Sequence, residues 1–131
     1  MRLRQDDAAA KELVDRIFGV EVCAPFVGLL VEDGAGKVHG AVIVNNHEPG
    51  LTADLTFAGR FDARSLRELA RYLFKDLRLR RVGAVARESN VASRNLLLRL
   101  GFHQEGLLRD RFHDGNGVIF GLLPAEFPMR F

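Results

Sequence analysis

Three polar residues, Asn90, Ser93 and Asn95, crowd the start of the segment NVASRNLLLRLGFHQEG at positions 90–106. The segment then turns largely apolar and stops at Gly101-Phe102. Asn90 suits the N-cap of a helix, where its side-chain oxygen accepts a hydrogen bond from the third helical N–H, that of Ser93. Gly101 suits the left-handed position just past the helix, with Phe102 folding back on Leu97. The same first turn offers backbone N–H groups and short polar side chains to an anionic or amide-rich ligand. Capping and ligand contact are compatible, and the spacing admits both.

Two carboxylates stand near that turn in the order of elements. Asp54 belongs to the alternating run LTADLTF (51–57), with Leu51, Ala53, Leu55 and Phe57 on one face and Thr52, Asp54 and Thr56 on the other. Glu88 ends the apolar run RVGAVAR (81–87). Both fall on the side of a sheet where α/β ligands bind. Each also fits a surface or capping acid. The histidines (His39, His47, His103 and His113) lie far apart with no HExxH spacing, and Cys23 is the only cysteine, so a metal site has no support.

The elements that must position these groups follow from periodicity. DDAAAKELVDRIF (6–18) reads as a helix with acids at its front and Gly19 as its stop. FVGLLVE (26–32) and VHGAVIVN (38–45), split by DGAGK, predict an antiparallel hairpin, and 51–57 a third strand. The clearest helix is 62–79, with Leu66, Leu69, Ala70, Leu73 and Leu77 on one face. A buried strand over 81–87, the helix from Asn90, and a second hairpin (107–113 and 118–123) complete the order. That order is helix, three strands, helix, strand, helix, two strands. It predicts a mixed α/β sheet with a right-handed β–α–β unit joining 51–57 to 82–87. At 131 residues one domain is expected, with a helix and linker over 1–25 and a core over 26–127.

Composition narrows the function classes. The chain is 47% hydrophobic and 27% charged, with a net charge of +2. No apolar run approaches the roughly 20 residues of a membrane helix, and the charged N-terminus does not read as a secretory signal. A lone cysteine fits a reducing, cytoplasmic setting. Arg60, Arg64, Arg67, Arg71, Lys75 and Arg78 form a basic stripe, but Glu68 and Asp76 interrupt it, which reads as a solvated helix face rather than a nucleic-acid surface.

Asn90, Ser93, Leu100, Gly101, Phe102, Glu105, Gly106 and Arg109 together form N-x-x-S-x6-L-G-F-x-x-E-G-x-x-R. This signature resembles the GNAT superfamily of acyl-CoA-dependent N-acetyltransferases, most of all the branch that acetylates ribosomal-protein N-termini. The tail GLLPAEF (121–127) is similar to that branch too, and the short chain resembles small phage- or prophage-type GNAT-like proteins. The resemblance implies acetyl-CoA as co-substrate, an amine acceptor (a small molecule or a protein N-terminus) and direct attack on the thioester. It implies that Leu55–Ala58 pair with the pantetheine arm, with Thr56 and Phe57 nearest the thioester. It places Asn90 on the pantetheine and Ser93 near the sulfur; Asn95 in the same turn is a further candidate contact, and Asp54 or Glu88, by their position on the sheet, are candidate general bases.

The chain departs from the family pattern at three places. The usual glycine-rich pyrophosphate loop is replaced by AGRFDARSL (58–66), with one glycine and with Asp62 at the helix start. A carboxylate there caps the helix and repels a pyrophosphate. Arg60 and Arg64 are left to pair the phosphates, or to stand solvated. The N-terminal part holds one clear helix instead of two, and Leu97 stands where many relatives carry a tyrosine acid, leaving Ser93 or water to protonate the thiolate. A non-catalytic GNAT-like domain for protein interaction or self-association is the alternative, and an open sheet edge leaves room for a homodimer.

Overall fold

The structure, a computed structural model, describes all 131 residues. One seven-stranded sheet carries everything else, in the order β1-β2-β3-β4-β5-β7-β6. The strands are β1 (Arg2–Gln5), β2 (Phe26–Glu32), β3 (Val38–Glu48), β4 (Thr52–Gly59), β5 (Arg81–Arg87), β6 (His103–Phe112) and β7 (Gly115–Leu122). Every neighbouring pair is antiparallel except β4 with β5. The mixed α/β expectation and its β–α–β unit therefore hold.

Strand alternation sorts the core into two layers. On one face, α1 (Asp7–Phe18) lays Ala10 and Val14 over Leu30, Ala41, Ile43 and Ala58. Gly28 allows this approach, because a Cβ there would sit 2.7 Å from the Ala10 Cβ. On the other face, α2 (Ala63–Arg71) and α3 (Val91–Arg99) cover Val42, Leu55, Val82, Val118 and Phe120. β3, buried from Gly40 to Val44, carries residues of both layers: Ala41 and Ile43 on one face, Val42 and Val44 on the other.

Several expected boundaries shift. A strand, β1, precedes the first helix within 1–25; its residues are largely exposed, so no apolar alternation announced it. The helix read over 62–79 is α-helical only to Arg71 and continues as a π-helical turn over Tyr72–Asp76. Leu51 is exposed and outside β4, which runs on to Gly59. The last hairpin is longer than 107–123, because β6 starts at His103.

The stop of α3 is as the sequence predicts. Gly101 has φ +92°, its N–H bonds the Leu98 carbonyl at 3.1 Å, and the Phe102 N–H bonds the Leu97 carbonyl at 3.0 Å. Phe102 and Leu97 are buried in the same core, which completes a Schellman stop.

Candidate active site

The parallel pairing of β4 with β5 lasts only four residue pairs, from Thr52↔Arg81 to Leu55↔Ala84. Both strands run on. β4 stays paired to β3 through Thr56↔Ile43, Phe57↔Val42 and Ala58↔Ala41, and β5 stays paired to β7 through Val85↔Ile119 and Arg87↔Gly117. The two strands therefore part after Leu55 and Ala84. Backbone groups of residues 56–58 that face β5 have no ladder partner there, which in mid-sheet demands water or a ligand.

The gap opens into a cavity of about 800 Å³. Asp54, Thr56, Val85 and Arg87 line it from the α1 face of the sheet, and Leu55, Phe57 and Ala86 from the opposite face. Asn90, Ser93, Leu96 and Leu97 of the α3 region close that opposite side, while the chain after α1 and the β6–β7 hairpin form outer walls. The cavity therefore passes through the sheet.

Five of the sequence-predicted residues meet in this cavity: Asp54, Thr56, Phe57, Asn90 and Ser93. Asn90 caps α3, its Oδ1 accepting from the Ser93 N–H at 3.1 Å, and its amide nitrogen has no internal partner. Asp54 is exposed and accepts from Asn46 Nδ2 at 2.9 Å. Gly83 gives it room, since a Cβ there would meet Asp54 Oδ1 at 2.8 Å.

The other candidates lie outside the cavity lining. Ala58 is buried against α1, and Asn95 is exposed on α3. Glu88 is exposed, with its carboxylate 3.4 Å from Asn116 Nδ2. Arg60 is exposed with no ion pair, and Arg64 reaches Glu68 Oε1 at 3.5 Å.

The start of α2 is occupied by its own cap. Asp62 Oδ1 accepts from the Ser65 N–H at 2.9 Å, and Ser65 Oγ accepts from the Asp62 N–H at 3.0 Å. The Met1 ammonium pairs with Asp62 Oδ2 at 2.7 Å. That ion pair, with the cap hydrogen bonds, holds the carboxyl at about 2, below its ordinary 3.8. The Arg60 N–H is also engaged, bonding the His39 carbonyl at 2.9 Å. Few N–H groups remain here for a phosphate, so the residues at this helix start do not reproduce a glycine-rich phosphate cradle.

Sequence reasoning missed a second cluster in the same cavity. The Arg87 guanidinium carbon lies 4.7 Å from the Phe112 ring centre, and that of Arg111 lies 4.9 Å from the same ring. Both arginines and Phe112 line the cavity. Arg87 and Arg111 are far apart in sequence and meet because β5 and β6 flank β7. No local pattern could have signalled that.

No group of three or more His, Cys, Asp or Glu side chains gathers in a metal-binding arrangement, and no helix is long and apolar enough to cross a membrane.

No family model and no curated protein matches the chain by sequence. Solved structures match it by fold. The spermidine/spermine N-acetyltransferase SpeG of Vibrio cholerae is similar over 94% of this chain and 92% of its own, with a TM-score of 0.76 at 13% identity. A GNAT-family acetyltransferase of Bacillus anthracis is similar over 76% and 67%, with a TM-score of 0.65 at 16% identity. A GCN5-related N-acetyltransferase of Brucella melitensis is similar over 79% of this chain and 53% of its own, at 24% identity and a TM-score of 0.64. At these identities the likeness is one of fold: the chain has the GNAT fold.

Proposed function

We propose that this protein is an N-acetyltransferase that takes its acetyl group from acetyl-CoA and gives it to an amine. The observation that carries the reading is the β4–β5 gap, with the capped start of α3 on one side and an open cavity on the other. The unpaired edge of residues 56–58 suits the amides of a pantetheine arm, which would lie there as a short extra strand. Phe57 is braced for that position by edge-on contacts to Phe61 and Phe102, at 5.5 and 6.5 Å between ring centres.

The chemistry asks little of the side chains. The amine nitrogen attacks the thioester carbon, the C–S bond breaks, and the nitrogen loses a proton as the thiolate gains one. Asp54, which lines the cavity and accepts from Asn46, takes the amine proton in this reading, directly or through water. Ser93 or water returns a proton to sulfur. Glu88 is a weaker candidate, since it lies outside the cavity and faces Asn116. Asn90 caps α3 with its oxygen and can offer its amide nitrogen to the arm. The Asn90–Arg109 signature supports a relation to the ribosomal-protein branch, with a protein N-terminus among the acceptors.

Calorimetric titration with acetyl-CoA and with CoA tests the reading. Saturable binding is expected, and absence of binding at millimolar ligand would reject it. The start of α2 favours a second reading, a GNAT-like domain without catalysis that binds a protein or itself. There the cap and the Met1 ion pair occupy the usual phosphate position.

A further inference from the structure

We infer that the acceptor amine carries a carboxylate, which Arg87 and Arg111 hold on either side of its path beside Phe112. The inference rests on the N-acetyltransferase reading of the cavity and deepens it.

Arg87 ends β5 on the acceptor side of the gap, two residues beyond Val85, or roughly 7 Å of strand. Its Nε is buried and makes no hydrogen bond. The exposed Asp114 carboxylate makes an ion pair with it at 3.3 Å but is not aligned to accept a hydrogen bond. An unsatisfied buried N–H of a guanidinium is costly, and a carboxylate is the group that best relieves it.

Arg111 is built toward the same place. Its stem lies over Gly117 of β7, where a Cβ would come within 3.0 Å of Arg111 Cγ and 3.1 Å of Val85 Cγ1. Glycine at 117 therefore leaves the room in which Arg111 lies beside β5. Arg111 has no carboxylate partner in the protein, and its guanidinium sits at the Phe112 ring. Stacking on a ring engages the face of a guanidinium and leaves its N–H edge for a planar anion.

Three carboxylates share the cavity, and a fourth, Asp114, lies outside its lining against Arg87. Asp54 stands opposite Gly83, four residues and about 13 Å of strand back from Arg87, at the end where the amine would lie. Glu21 and Asp110 are exposed on the outer walls and pair with neither arginine. Asp54 thus stands at the amine end and the two guanidiniums beyond it, where an acceptor carboxylate would join or displace Asp114 at Arg87 and meet an unpaired Arg111. A free amino acid and a peptide whose N-terminal residue has an acidic side chain both present that chemistry.

Matched acceptors decide the matter. Acetyl transfer from acetyl-CoA would be compared for amino acids against their amides, and for peptide amides starting with glutamate against glutamine. Preference for the acid in the first pair identifies a free amino acid, and in the second an acidic N-terminus. Either preference is expected at about tenfold or more in kcat/KM, narrowing to within about threefold in Arg111→Ala. Equal rates within both pairs, or a preference that survives Arg87→Ala with Arg111→Ala, would overturn the inference. A second measurement does not depend on turnover. N-acetylglycine and its amide would be titrated while the arginine Nε–H resonances are followed. Shifts at Arg87 and Arg111 with the acid alone are expected, and no shift with either overturns the inference even where acetyl-CoA binds. Failure of acetyl-CoA to bind, by contrast, counts against the parent reading alone.

Discussion

At the scale of single residues, Asn90 joins two roles that mutation can separate. Its oxygen caps α3, and its nitrogen is free. Asn90→Asp keeps a capping oxygen and loses the amide donor, so stability should hold within a few tenths of a kcal/mol while acetyl-CoA affinity falls. Asn90→Ala should also lose about 1 kcal/mol of stability by urea denaturation. Equal affinity in wild type and Asn90→Asp would reduce Asn90 to a cap. Asp62 gives a pH signature. Its folded pKa, about 2, lies below the ordinary 3.8, so its stabilisation is present above the ordinary value and is lost as pH falls from about 4 toward 2. Unfolding midpoints of Asp62→Asn should lack the part of the acid-side slope that wild type shows in that window.

At the scale of elements, the ends of α3 were legible because its start and stop are local chemistry. Asn90, Gly101 and Phe102 dictate them from within a few residues. Gly101 is correspondingly intolerant, since a Cβ would lie 2.2 Å from the Glu126 carbonyl oxygen and φ is +92°. Gly101→Ala is expected to cost more than about 2 kcal/mol, read as a drop in the thermal midpoint. β4 was legible through alternation, β2 and β3 as apolar runs split by a turn, and the parallel crossover through the helix between two apolar runs. β1 was not, because RLRQ pairs through its backbone at the edge of β2 while most of its side chains stay in solvent. The π-helical turn after Arg71 was equally hidden, since Leu73 and Leu77 keep apolar spacing in either helix type. Among site residues, those on α3 and β4 could be named from sequence. Arg87, Arg111 and Phe112 could not, because only the β5–β7–β6 order brings them together.

At the scale of the whole molecule, the sheet has two well-paired halves, β1 to β4 and β5 with β7 and β6, joined by the four pairs from Thr52↔Arg81 to Leu55↔Ala84. A buried core of 17 residues spans both halves, which keeps them one body despite the short seam. That seam has a kinetic reading. Amides in the middle of a sheet normally exchange with deuterium only when the protein opens. Here the Phe57 N–H is the one of residues 56–58 that points across the gap, because alternation turns those of Thr56 and Ala58 toward β3, as it does the Arg60 N–H bonded to His39. In the free protein it should label within the earliest time points while its neighbours on β3 stay dark, and an arm laid along it should silence it as a strand would. A single fast proton inside a paired sheet would thus serve as a built-in reporter of occupancy.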